Sequence, residues 1–150
     1  MKKILVLGAS GQIGKSLKKY LVNWGKVEFL NRRELDFKNI ELLESKIKEF
    51  QPEFIINAAA YTNVDGAEDY QKDAFQVNSF AVAKLAKLAH THGIVLVHFS
   101  TDYVFDGKKN SPYNETDIPN PLSVYGKSKL EGEKFIRKNC SKFLIIRTSG

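Results

Sequence analysis

Gly8-Ala9-Ser10-Gly11-Gln12-Ile13-Gly14 stands between a short apolar run, residues 4–7, and a segment whose apolar residues recur at helical spacing. A strand that ends on glycine and passes at once into a helix decides the fold reading. One glycine permits the tight turn, another lets a phosphate approach the backbone, and a third lets the helix pack against the strand. Free amide groups at the positive end of that helix then face the anion. The spacing is G-x-x-G-x-x-G, and in this position it implicates Gly8, Ser10, Gly11, Gln12 and Ile13 in binding a dinucleotide.

Outward from that turn, strands and helices alternate. After the strand at residues 2–7, the helix from Gln12 places Ile13, Leu17, Tyr20, Leu21 and Trp24 on one inward face, and Gly25 stops it. A strand at 27–30 precedes a helix at 39–50 with Ile40, Leu43 and Ile47 facing inward. Pro52 ends that connection, and 54–57 is a third strand. Asp65, Glu68 and Asp69 read as an exposed helix start, and 73–92 as one long helix closed by Gly93. The nearly continuous apolar run at 94–99 suits a central parallel strand buried on both faces. A Pro- and Asn-rich loop at 107–122, a helix at 125–138 and a strand at 143–147 follow. Such alternation predicts α/β architecture: a doubly wound, Rossmann-like parallel sheet with ligands beyond the carboxyl ends of its strands. Residues 1–150 are read as one cofactor-binding domain. The chain stops one step past a predicted strand, so a substrate domain is expected to follow Gly150, and the sequence is read as a fragment.

Composition narrows the possibilities. No apolar run approaches the ~18 residues of a membrane span, and the run after Lys2 and Lys3 is too short for a secretory signal. Cys140 is the single cysteine, so no intrachain disulfide forms and a cytoplasmic location is expected. The net charge of +6 comes from lysines scattered along helices, a solvated exterior without the arginine-aromatic stripe of a nucleic-acid binder. His90, His92 and His98 lack metal-ligand spacing, so no metal is expected, and no Ser-His-Asp set suggests itself.

Two further segments carry chemistry. The second strand ends Leu30-Asn31-Arg32-Arg33. An acid there would bind ribose hydroxyls and repel a 2′-phosphate, whereas guanidinium groups pair with phosphate, which favours NADPH over a still possible NADH. Asp36-Phe37 follows, with Asp36 able to accept from an adenine amino group. Ser100-Thr101 lies at a strand end, and Tyr125 and Lys129, four apart, share one helix face. An ammonium near a phenol favours its ionised form, and a threonine hydroxyl beside them can hold a carbonyl oxygen while hydride arrives. Thr101, Tyr125 and Lys129 are therefore the catalytic candidates.

Three longer runs make the likeness specific: Asn57-Ala58-Ala59-Ala60-Tyr61-Thr62-Asn63-Val64-Asp65, Phe99 through Gly107, and Pro121 through Glu133. With the glycine turn they resemble the dTDP-4-dehydrorhamnose reductase family of extended short-chain dehydrogenases, over all 150 residues. The resemblance implies that Thr101, Tyr125 and Lys129 form the catalytic trio. It further implies that Asn31, Arg32, Asp36, Phe37, Ala59, Ala60, Tyr61, Thr62 and Lys129 line the cofactor. Thr101, Asp102, Tyr103 and Tyr125 would meet a nucleotide-sugar substrate, and Asn78 matches the superfamily's helix asparagine. A homodimer is a possible assembly. Two departures stand out: the family often has an acid at the position of Asn31, and a tryptophan where Gly150 follows Ser149. A nucleotide-sugar dehydratase or epimerase of the superfamily is a second reading, but a dehydratase would carry Asp-Glu after the threonine, where this chain has Asp102-Tyr103. The non-catalytic beta subunit of methionine adenosyltransferase shares much of the last two runs, but typically has serine in place of Thr101.

Overall fold

The structure, a computed structural model, describes residues 2–149. Strand β1 (Lys3–Leu7) leads through helix α1 (Gln12–Leu21) to β2 (Lys26–Leu30), and α2 (Leu42–Phe50) leads to β3 (Phe54–Asn57). Helices α3 (Val64–Asp69) and α4 (Gln71–Phe75), a π-helical turn (Gln76–Phe80) and α5 (Ala81–Thr91) then lead to β4 (Val95–Thr101). A 3-10 turn (Asp102–Val104), a long irregular loop, α6 (Val124–Asn139) and β5 (Phe143–Thr148) follow. The strands form one parallel sheet in the order β2-β1-β3-β4-β5, the doubly wound arrangement expected. Connections leave β1 toward β2 and return across it to β3, so the strand order reverses between β1 and β3 and opens a crevice at their carboxyl ends.

Register sorts the strand residues onto two faces. Leu5, Ile55 and Leu96 are neighbours across the sheet and pack with Leu43, Ile47, Leu85, Ala86 and Ile136 of α2, α5 and α6. Right-handed crossovers put those three helices on one side and α1 on the other. On the α1 side run Phe29, Val6, Ile56, Val97 and Leu144, with the Lys18 ammonium over the Phe29 ring. That side is well covered only near β1. Val95, Val97 and Phe99 are half-buried and Leu144 is 54% exposed, so β4 is sealed on one face, not both as its apolar run suggested.

Three element readings change. Helix α1 ends at Leu21, and Tyr20 and Trp24 are 69% and 63% exposed. Chain 22–25 has left the helix, so the 3.6-residue period no longer places Trp24, and only Ile13, Leu17 and Leu21 of the expected face are half-buried. Helix α2 starts at Leu42, preceded by a turn in which the Leu43 amide donates to the Ile40 carbonyl, with Ile40 and Leu43 buried as expected. The long helix at 73–92 is α4, a π turn and α5 in series. The π turn adds a residue to one turn and faces Asn78 and Ser79 inward.

Candidate functional site

The glycines of the first turn do different work. Gly8 has φ +79°, and a Cβ there would lie 2.4 Å from the Ala59 amide nitrogen, so the turn must pass against the end of β3 with no side chain. At Gly14 a Cβ would lie 2.2 Å from the Gly8 carbonyl oxygen, the close approach of helix to strand. Gly11 is under neither constraint: its φ is −75° and the nearest atom to a Cβ would be 3.6 Å away. Its bare backbone faces the cavity at the start of α1, a terminus with no capping side chain and no acid in its first turn. Unspent helix amides beside a glycine that the protein's own packing does not require fit a diphosphate.

That turn forms one wall of a cavity of about 900 Å³ at the carboxyl ends of the strands, where the order reverses. Gly8, Ser10, Gly11, Gln12, Ile13, Arg32, Asp36, Phe37 and residues 59–62 all line it, as do Thr101, Asp102, Tyr103, Tyr125 and Lys129. Asn31 does not. Its side-chain oxygen accepts from the Arg33 and Glu34 amides at 2.9 and 3.1 Å, capping the turn that follows β2. An Asn at a strand end is spent on its own backbone more cheaply than on a ligand. Sequence reasoning missed Leu17, Tyr20, Lys38, Val77, Thr148 and Ser149, which also line the cavity. Thr148 ends β5 and Ser149 follows it, at a carboxyl end that the strand-end rule could have flagged.

On the far wall, Thr101 ends β4 with its hydroxyl oxygen accepting from the Tyr103 amide at 3.1 Å. Ser123 caps α6 by accepting from the Gly126 amide at 3.0 Å, which sets the first turn carrying Tyr125. The Tyr103 and Tyr125 rings meet edge to face with centroids 5.7 Å apart. Burial raises the Tyr125 phenol above its usual value, and the Thr101 hydroxyl pulls the other way. The expected depression of Tyr125 by Lys129 is absent here, because the ammonium donates to the Phe99 carbonyl at 2.8 Å. Lys129 is itself buried, which lowers its pKa from 10.5 to about 8 against an opposing pull from Glu133.

Behind these groups lies a buried polar layer. The Asn78 amide donates to the Tyr61 carbonyl at 3.1 Å and to the Ser128 hydroxyl at 3.0 Å, while its oxygen accepts from the Tyr61 amide at 2.8 Å. It thus clamps the loop after β3 to α6, and the π turn aims it there. His98 accepts at Nδ1 from the Asn57 amide at 3.1 Å, the tautomer implied by Asn57 Oδ1 taking the Ala59 amide hydrogen. Burial and the Lys129 charge hold its pKa well below 6.5, so it stays a neutral core residue, and no metal-binding cluster occurs among the described residues. No helix among them is long and apolar enough to cross a membrane.

The family model for the RmlD substrate binding domain matches residues 1–150. The dTDP-4-dehydrorhamnose reductase of Aggregatibacter actinomycetemcomitans is 49% identical over 99% of this chain and 51% of its own length. A crystal structure of dTDP-4-dehydrorhamnose reductase from Bacillus anthracis in complex with NADP superposes with a TM-score of 0.95 at 36% identity, covering 99% of this chain and 54% of that one. Methionine adenosyltransferase 2 subunit beta of Bos taurus is 41% identical over 97% of this chain and 46% of that protein. The chain spans about half the length of the curated relatives it matches.

Proposed function

This chain belongs to the RmlD substrate binding domain family, and from that membership and the cavity we propose that the protein reduces the 4-keto group of a dTDP-linked deoxysugar with NADPH. One observation carries the reading: a single cavity joins the first-turn amides of α1, at Gln12 and Ile13, to Thr101, Tyr125 and Lys129. The glycine turn follows β1 and Thr101 ends β4, two strands away, a span of about 10 Å across the sheet ends. Bound with its diphosphate on the glycine turn, the reduced nicotinamide cofactor supplies the hydride. Arg32 would pair with the 2′-phosphate, and Asp36 would accept from the adenine amino group. The Thr101 hydroxyl holds the sugar's carbonyl oxygen. Tyr125, kept protonated by burial, donates its proton to that oxygen. Lys129 would meet the ribose hydroxyls of the bound cofactor, and its charge beside the phenol would favour loss of the tyrosine proton. The reductases from Aggregatibacter and Bacillus support both reaction and cofactor.

The bovine relative supports a second reading, a non-catalytic regulatory subunit. A steady-state assay of the whole protein with dTDP-4-keto-6-deoxymannose, alongside cofactor titration, separates the two. Tyr125→Phe is expected to lower turnover by about 100-fold or more with cofactor affinity nearly unchanged. Cofactor binding without turnover in the wild type, with a synthetase recovered as partner, favours the regulatory reading.

A further inference from the structure

Glu133 stands one helical turn beyond Lys129 on α6 and is 1% exposed. A carboxylate taken out of water is costly unless its oxygens are paired. Here both are. Oε2 accepts from the Ser100 hydroxyl at 2.5 Å and from Arg147 Nε at 3.0 Å, and Oε1 accepts from Arg147 Nη2 at 2.6 Å. Arg137, half exposed on the same helix, approaches Oε1 at 3.5 Å. The Arg147 guanidinium is also held 5.1 Å from the centre of the Phe105 ring.

These partners come from three elements that converge on the cavity. Ser100 and Arg147 are register partners on β4 and β5, and each immediately precedes a cavity residue, Thr101 and Thr148. Helix α6 carries Tyr125 and Lys129. An apolar side chain at 133 would pack the helix on the sheet with less desolvation, but without direction. The two-pronged bond to Arg147 fixes orientation in a plane, and the Ser100 bond fixes the height of the helix along β4. We propose that Glu133 is a positioning residue for the reaction: it locks α6 to the carboxyl ends of β4 and β5 and sets the buried negative charge that Lys129 faces. Its effect on turnover rests on the reductase reading; its effect on Lys129 does not.

The groups around Lys129 bear this out. His98 faces it from β4 and stays neutral, Asn78 and Ser79 of the π turn are uncharged, and Asp102 and Tyr103 act on Tyr125. Glu133 is the group that opposes the fall of the ammonium to about 8. Removing its charge lets Lys129 lose its proton at lower pH.

The test follows NADPH affinity against pH for the wild type, Glu133→Gln and Glu133→Asp, with kcat for the 4-keto sugar measured in the whole protein. Wild-type affinity is expected to weaken with a half-point near 8 as the ammonium loses its proton. Glu133→Gln should move that half-point down by about one pH unit, which loss of a merely structural contact would not do. Glu133→Asp keeps the charge but shortens the reach, so it should hold the half-point while kcat falls about tenfold. An unmoved half-point in Glu133→Gln, or wild-type kcat in Glu133→Asp, overturns the proposal. If Glu133→Gln does not fold, the two readings on Glu133→Asp decide. A wild type that binds NADPH but reduces no sugar removes the reductase reading instead, and the half-points still judge Glu133.

Discussion

At the scale of single residues, Lys129 shows function opposing stability. The fall of its pKa from 10.5 to about 8 on burial corresponds to roughly 3 kcal/mol of preference for the neutral form in the folded chain. Between those values the unfolded chain binds the extra proton, so this contribution raises stability as pH climbs through the window. Below pH 8 the penalty is present in full. Lys129→Met removes it and forfeits the bond to the Phe99 carbonyl, worth about 1 kcal/mol. The variant is therefore expected to be about 1–2 kcal/mol more stable than wild type at pH 7 by urea denaturation, the gain shrinking above pH 8. Equal stability at pH 7 would remove the argument. Arg32 carries a second prediction. It lines the cavity, whereas Asn31 is spent on its turn and Arg33 is not among the lining residues. Arg32→Ala should weaken NADPH about tenfold and leave NADH within about twofold, read by cofactor fluorescence. At this scale the sequence singled out Thr101, Tyr125 and Lys129 from a strand end and a helix face, and the fold sets all three on one cavity. It misplaced Asn31, because which group a side chain bonds is decided by the turn geometry around it.

Elements are where glycine readings become testable. Gly14 and Gly8 are required by packing, Gly11 is not. Gly11→Val should leave the melting temperature within a few degrees of wild type while weakening NADPH at least tenfold, since a branched side chain would stand where the diphosphate approaches. A large loss of stability with binding intact would reverse that assignment. Stops were legible where chemistry marks them: Gly8 ends β1, and Gly93, at φ +66°, closes α5. The π turn at 76–80 was not legible. Its extra residue leaves composition and flanking periodicity unchanged, and it is held by Asn78 reaching Tyr61 and Ser128, which are 17 and 50 positions away in sequence.

For the whole molecule, everything assigned to the cofactor lies within residues 8–129. The isolated 150-residue chain is expected to bind NADPH saturably, yet to turn over the sugar far more slowly than a relative twice its length. Positioning of the reacting carbon contributes heavily to rate, and the walls for a nucleotide sugar are proposed to come from the further half those relatives possess. A titration beside a steady-state assay checks both halves of the statement, and wild-type-like turnover by the isolated chain would contradict it.

The sequence by itself determined the layered α/β plan, the parallel sheet and the glycine turn, because period, strand length and turn chemistry act over a few neighbouring residues. Only the tertiary structure decided which face each strand buries. It showed β4 sealed on the side of α5 and α6 and half open on the side of α1, since coverage depends on the hand of each crossover and on which helices share a face. It also decided that Glu133 is a buried partner of Ser100 and Arg147 and not a solvated helix charge. A glutamate reads the same in sequence in either place; its environment is made by strands that lie 14 and 33 residues away and meet it only after the sheet has closed against α6.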